Sequence, residues 1–244
     1  VWRLLSVFAL LTAVTACFAI QSLHELDRLS PELQANLLEV EARTASMTKA
    51  VESSRERAEL AAWIQEQMLR VNPRLEKAAA TEYAHLLLDA TDKYGAVDPV
   101  FLLAVGMVES HFDTNATSRV SAKGLYQIYP ATGEWLASEL GRPYQESMLY
   151  EPEINTELAA LYLEKLFATY EDPRLVLAEY NGGPINARRF RTGSDLLASE
   201  TRDYVAKVMG RFRHLSSRLD EHRGADPSGD GGDATLVALT LDDD

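Results

Sequence analysis

A single carboxylate stands out by position. Glu109 follows nine apolar or glycine residues in succession, Val100 to Val108, and that run opens on Asp98-Pro99, an N-cap followed by a proline at the first helical position. A helix without a polar face is buried all round. Its last turn places Glu109 in a desolvating environment and at the negative end of the helix dipole, and both disfavour the charged carboxylate. The dipole supplies about 0.3 to 1 kcal/mol, less than one pKa unit at about 1.36 kcal/mol per unit, so burial must do most of the shifting. An acid still protonated near neutral pH can protonate a glycosidic oxygen. The plain alternative is a glutamate at a helix exit that turns to solvent or pairs with Arg119.

The elements around this carboxylate read as helices separated by loops. Thr81 to Tyr94 is a helix stopped by Gly95, and further helices are expected at Ala131–Leu140, Asn155–Tyr170, Pro173–Asn181 and Ser199–Leu219, with loop chemistry over Asp113–Lys123. No period-two strand pattern is convincing, so the fold class is all-α. Upstream, Ser30-Pro31-Glu32 starts a helix, and Leu33, Leu37, Val40, Thr44, Met47 and Val51 form a weak heptad seam that continues through Ser54, Ala58 and Ala61. Residues 21–72 therefore read either as a coiled-coil stalk of roughly 60 Å, able to self-associate or bind a partner helix through residues 22–71, or as an amphipathic helix folded onto the next domain. Asn72-Pro73 ends the segment, and a catalytic domain is expected over 73–223.

Four groups of residues follow one another around Glu109. They are Glu109-Ser110-His111-Phe112 with Ser118 after it, Gly124-Leu125-Tyr126-Gln127-Ile128-Tyr129-Pro130, Glu179-Tyr180-Asn181-Gly182-Gly183-Pro184, and Glu200-Thr201-Arg202-Asp203-Tyr204-Val205. In order and spacing they resemble the soluble lytic transglycosylase family, whose motifs are Glu-Ser-x-Phe, Gly-Leu-Met-Gln-x-Met-Pro, Ala-Tyr-Asn-Ala-Gly and Glu-Thr-x-x-Tyr-Val. Glu151-Pro152-Glu153-Ile154-Asn155 and Tyr162-Leu163 look like two further family features. The resemblance spans about Asp98 to Val208. It implies a goose-type lysozyme-like helical domain that cleaves the β-1,4 bond between N-acetylmuramic acid and N-acetylglucosamine in peptidoglycan and needs no cofactor or metal. Carried over by position, Glu109 is the catalytic acid and then base. Ser118, Gln127, Tyr129, Tyr180 and Asn181 line the glycan groove, and Ser110, Glu200 and Tyr204 support it. The sequence departs from the pattern at Tyr126 and Tyr129, which replace Met, at His111 and Ser121, and at Glu179 and Gly182, which replace Ala. Two other readings stay open. One is a lysozyme-like hydrolase in which Glu179, Glu134 or Asp113 activates water, and the other is a non-catalytic peptidoglycan-binding scaffold.

Composition narrows the partners. With 37 acidic and 24 basic residues the formal net charge is -13, which argues against nucleic acid, whose phosphates require clustered Lys and Arg. Cys17 is the sole cysteine and the five histidines are scattered, so no intrachain disulfide or four-cysteine zinc site can form. Residues 1–20 place Arg3 before an uncharged run from Leu4 to Ile20, which reads as a cleaved export signal, an uncleaved anchor or a lipoprotein signal. Val14-Thr15-Ala16-Cys17 resembles the bacterial lipobox and makes Cys17 a lipidation candidate, the alternative being a buried or membrane-embedded cysteine. Membrane attachment through the N-terminus and a periplasmic location are the expectation. Residues 224–244 carry six Asp and no positive charge and read as an acidic disordered tail. Metabolic labelling with a palmitate analogue should mark the protein and fail on Cys17→Ser. An unlabelled protein that stays in membranes would leave the run as a plain anchor.

Overall fold

The structure, a computed structural model, describes residues 31–224 except Asp195 and Leu197, together with Thr15, Phe18, Gln21 and Ser22. Arg3, Cys17, most of the N-terminal apolar run and residues 225–244 lie outside the described residues. The elements are α1 (Pro31–Val71), α2 (Lys77–Lys93), α3 (Pro99–Glu109), α4 (Pro130–Glu139), a 3-10 turn (Glu146–Tyr150), α5 (Pro152–Phe167), α6 (Pro173–Arg191) and α7 (Ser199–Gly224). Among the described residues the only extended pairing is two isolated bridges, Thr117 with Lys123 and Lys123 with Ile128. The domain is all-α, and no described helix is long and apolar enough to cross a membrane.

Local chemistry starts these helices. Proline occupies the first turn of α3, α4, α5 and α6, where its missing N–H has no intrahelical acceptor to lose. Asp98 adds a side-chain cap, accepting from Val100 N at 2.7 Å and Phe101 N at 3.0 Å. Asp172 does the same for Arg174 N at 2.8 Å.

The apolar helix expected around residue 100 is the centre of the molecule. Val100 to Met107 of α3 are all buried, and α3 packs on α7 and α2. Phe101 meets Phe167 and Phe212 edge to face, with centroids 5.3 and 5.4 Å apart. Each such side chain contributes about 1.5 to 3 kcal/mol by leaving water. Outside this core, Glu157 of α5 accepts from Lys93 and Arg142, tying α2 and the 140s loop to α5.

Two compact units divide the chain, one ending at Ala58 and the other beginning at Glu59. In the first unit, Leu37, Val40, Met47 and Val51 of the heptad seam are exposed. The second unit starts earlier than the expected boundary at residue 73. Ala61, Trp63, Ile64 and Met68 are buried in its core, and Gln67 is buried with them. The heptad phase lapses where α1 acquires these core side chains, so its last turns belong to the domain. Helix α6 also outruns the expected Pro173–Asn181. It continues to Arg191 across a break at Gly183 (φ 73°, ψ 176°), a left-handed-side conformation that glycine adopts without a Cβ penalty, followed by Pro184.

A fragment of residues 59–224 should unfold cooperatively, whereas residues 73–224 should not reach the same state. Removing Trp63, Ile64 and Met68 deletes side chains whose single truncations cost about 2 to 5 kcal/mol each, a large share of a typical net stability of about 5 to 15 kcal/mol. Urea unfolding of the two fragments, followed by far-ultraviolet circular dichroism, measures the difference.

Candidate functional site

Helix α3 delivers Glu109 to the surface of the core, where it is half-buried. Burial pushes its carboxyl from an ordinary 4.5 up to about 7, against the opposing effect of a hydrogen bond from Tyr204. The Tyr204 hydroxyl, on α7, donates to Glu109 Oε1 at 2.6 Å. Burial first, and the charge of Glu109 second, hold the phenols of Tyr204 and Tyr180 well above their ordinary range. Both therefore remain neutral donors beside the carboxyl. Among the described residues no second carboxylate acts on Glu109, and no group of three or more His, Asp or Glu could hold a metal ion.

The chain turns sharply after Glu109. His111 and Phe112 have φ values of 55° and 62°, uncommon for residues with a Cβ. Two contacts hold the turn. Ser110 Oγ donates to the Leu125 carbonyl at 2.6 Å, and buried Phe112 packs edge to face on Tyr126, centroids 6.4 Å apart. Ser118 Oγ accepts from Ala122 N at 3.0 Å and Val120 N at 3.3 Å, closing the following loop. Gln127, with φ 49°, donates through Nε2 to the carbonyls of Gly124 (2.9 Å) and Ala116 (3.1 Å). Ser118 and Gln127 thus spend bonds on building the loop that walls the site.

Asn155 pins that loop from behind. It is fully buried at the start of α5, accepts from Tyr126 N at 2.8 Å, and donates to the carbonyls of Leu149 (2.8 Å) and Lys123 (2.9 Å). Gly124 (φ 78°) makes the approach feasible, since a Cβ there would stand 2.1 Å from the Leu149 carbonyl oxygen and 2.5 Å from Asn155 Nδ2. Asn155 appears in the sequence only as part of a motif and carries no assigned role there. The available signal was a helix-interior Asn three residues after Pro152, a place where an unpaired amide is costly.

Helix α6 supplies the other wall. The Tyr180 hydroxyl donates to the Tyr126 carbonyl at 2.9 Å, joining α6 to the loop. Asn181 is exposed just before the helix break, and Tyr129 is exposed at the N-cap of α4. Gly182 fits because a Cβ would meet Asn186 Nδ2 at 2.4 Å. Glu200 lies on α7. It is exposed in the first turn of α7, where a negative charge suits the helix N-terminus, while its neighbour Thr201 is buried. The candidate second carboxylates are hydrogen-bonded elsewhere or exposed. Glu179 accepts from the Tyr170 hydroxyl, Asp113 accepts from Asn115 N within its own turn at 2.9 Å, and Glu134 is exposed on α4.

Comparison with known proteins shows what the chain is similar to. Residues 85–197 match the family model described as the transglycosylase SLT domain. The soluble lytic murein transglycosylase of Salmonella typhimurium is 30% identical over 137 residues, covering 49% of this chain and 21% of that protein. The membrane-bound lytic murein transglycosylase C of Pectobacterium atrosepticum is 31% identical over 121 residues, covering 43% of this chain and 32% of that protein. Among solved structures, an inactive mutant of the lytic transglycosylase Slt from Pseudomonas aeruginosa superposes with a TM-score of 0.50 at 27% identity, covering 56% of this chain and 24% of that one. The matches cover between 21% and 32% of the length of these two curated relatives.

The raised carboxyl of Glu109 makes a prediction that needs no substrate. Its folded-state pKa of about 7 lies above the unfolded value of 4.5, so the folded state binds the proton more tightly. Its contribution to stability is fully present below 4.5 and is lost as pH rises to about 7. Glu109→Gln removes this dependence. Relative to the parent, the variant should gain stability between pH 4.5 and 7 and level off above, by up to about 3 kcal/mol. Urea unfolding of both proteins at pH 4.5, 6 and 8 checks it, and a constant difference across that range would refute the assignment.

Proposed function

Residues 85–197 belong to the transglycosylase SLT domain family, and from that premise we propose that the protein is a lytic transglycosylase of peptidoglycan with Glu109 as its catalytic acid and base. The observation that carries the reading is a carboxyl raised to about 7, held at one oxygen by Tyr204, with no other carboxylate acting on it among the described residues. Tyr204 on Oε1 leaves Oε2 for the substrate. The proton passes from Glu109 to the glycosidic oxygen as the C1–O bond of N-acetylmuramic acid breaks, and the departing N-acetylglucosamine leaves as an alcohol. The carbonyl oxygen of the muramic N-acetyl group bonds to C1 and takes up the developing positive charge. Glu109, now a carboxylate, removes the proton from the C6 hydroxyl, and O6 displaces the acetamido oxygen from C1. A 1,6-anhydro ring results and Glu109 regains its proton, so no water is consumed.

The engaged or exposed state of Glu179, Asp113 and Glu134 supports this route over hydrolysis, which calls for a second carboxylate in most glycosidases. Ser118, Gln127, Tyr129, Tyr180 and Asn181 line the proposed glycan groove, and Ser110 and Tyr204 hold its floor. The same proposal extends to the rest of the chain. The N-terminal segment with Cys17 tethers the protein to a membrane on its periplasmic side, and the heptad segment of α1 serves as a coiled-coil stalk that self-associates.

Glu109→Gln keeps the shape and removes the transferable proton, so lysis of purified peptidoglycan should fall by about 10² to 10⁴-fold or more. In the parent, activity should fall as pH rises through about 7, because the acid form is the one that starts the reaction. Product chemistry tests the route separately. Ring closure leaves 1,6-anhydro ends that borohydride does not reduce, and fragments lighter by one water than hydrolysis products. Mainly reduced muramitol ends would assign a hydrolase.

A further inference from the structure

Helix α4 presents Trp135, a residue 44% exposed. It is the outer member of a series of ring contacts that runs to Tyr180 of the candidate site. Tyr162 of α5 meets the indole edge to face, with centroids 6.0 Å apart and planes at 89°. Tyr162 in turn lies 5.4 Å from Tyr180 at an interplanar angle of 32°. Tyr180 feels the charge of Glu109. The indole is also framed by charge, since Lys165 Nζ stands 5.5 Å from its ring centroid and is held at 2.7 Å by Glu139 Oε2.

A scattered exposed aromatic residue needs no explanation. Trp135 differs through its continuity with the site and its setting. Sugars bind protein by laying the C–H face of a pyranose on an aromatic ring while the hydroxyls at the rim meet donors and acceptors, and Trp135 with Lys165 and Glu139 offers both. Two ring contacts separate the indole from Tyr180, so the indole lies outward of that wall of the site. Membership of the ring series also fixes the indole in one orientation, which reduces the ordering cost of binding.

We propose that Trp135, framed by Lys165 and Glu139, is an outer subsite that stacks on a distant sugar of the strand whose bond lies at Glu109. The subsite makes the protein prefer long glycan strands to short fragments. It rests on the glycan-cleaving reading of the Glu109 site.

The test uses the full chain carrying Glu109→Gln, so that nothing is cut, titrated by calorimetry with β-1,4-linked N-acetylglucosamine oligomers of two and six sugars. Adding Trp135→Ala should weaken the six-sugar oligomer roughly tenfold, equivalent to about 1.4 kcal/mol, while the ratio of affinities for six and two sugars collapses. Trp135→Phe, which keeps an aromatic face, should restore most of that ratio. Equal weakening of both oligomers would mean that the indole merely props Tyr162 and Tyr180, and it overturns the subsite. Unchanged six-sugar affinity, or no binding of that oligomer by the parent, overturns it too. Peptidoglycan lysis by the chain with Glu109 intact tells the two readings apart: if lysis is present the subsite alone is lost, and if absent the glycan-cleaving reading falls with it.

Discussion

The desolvation of one carboxyl is the constraint on which the rest of the structure depends. Glu109 ends a helix whose preceding residues from Val100 to Met107 are all buried, so its position is set by the packing of the whole core. Charging it there is unfavourable, and the single hydrogen bond from Tyr204 offsets only part of the cost. An additional nearby cation would have returned the carboxyl to its ordinary range. A nearby carboxylate would have raised it further and coupled the two titrations. Burial with one neutral phenol gives an intermediate outcome, about 7, at which both the acid and the base forms are accessible near neutral pH. That value suits the proposed role, in which the group gives a proton and later takes one back.

Keeping Glu109 half-dry requires walls, and the walls are mostly loop. Loops carry backbone polar groups that helices would satisfy internally, and burying them unpaired costs free energy. Asn155 meets this demand from one side by binding three backbone groups of the loop and the 3-10 turn. Gln127 and Ser118 meet it from within. Tyr180 closes the circuit by bonding the Tyr126 carbonyl from α6. The loop is therefore positioned by several independent elements, which is how a segment with positive φ at His111, Phe112, Ser121 and Gln127 can hold one shape.

The helical fold was legible in the sequence because its signals are local. Asp98-Pro99 and the nine residues after it announce a buried helix and a desolvated glutamate without reference to anything distant. Long-range facts were less legible. That Tyr204 bonds Glu109 depends on α7 crossing α3, 95 residues later in sequence. Periodicity gave no warning of it, and only the family resemblance pointed there. The resemblance in turn is silent on the exposure of Glu200, since a motif records which residues recur and leaves their surroundings unstated. The domain boundary was hard to read for a related reason. Asn72-Pro73 is a true helix stop, yet a chain break in secondary structure is no break in packing, and Trp63, Ile64 and Met68 lie in the core on the far side of it.

Helix α6 shows how function can explain a locally unfavourable sequence. Gly182, Gly183 and Pro184 in the middle of a helix each lower its stability, and Pro184 cannot donate to the carbonyl of Tyr180 four residues earlier. An uninterrupted helix would have been easier to form. The break leaves Tyr180 before it, with its hydroxyl on the loop and its ring against Tyr162, and puts Asn181 at the exposed edge. Beyond it, the chain sets off in a new direction with Asn186 donating to the Gly182 carbonyl at 3.0 Å and so capping the interruption. A local rule is broken where the wall of the site must turn, and a side chain from the next turn compensates. Local propensity and global fold conflict most sharply at functional positions, and here the conflict falls on Gly182, Gly183 and Pro184, directly after Tyr180 and Asn181 on the α6 wall of the candidate site.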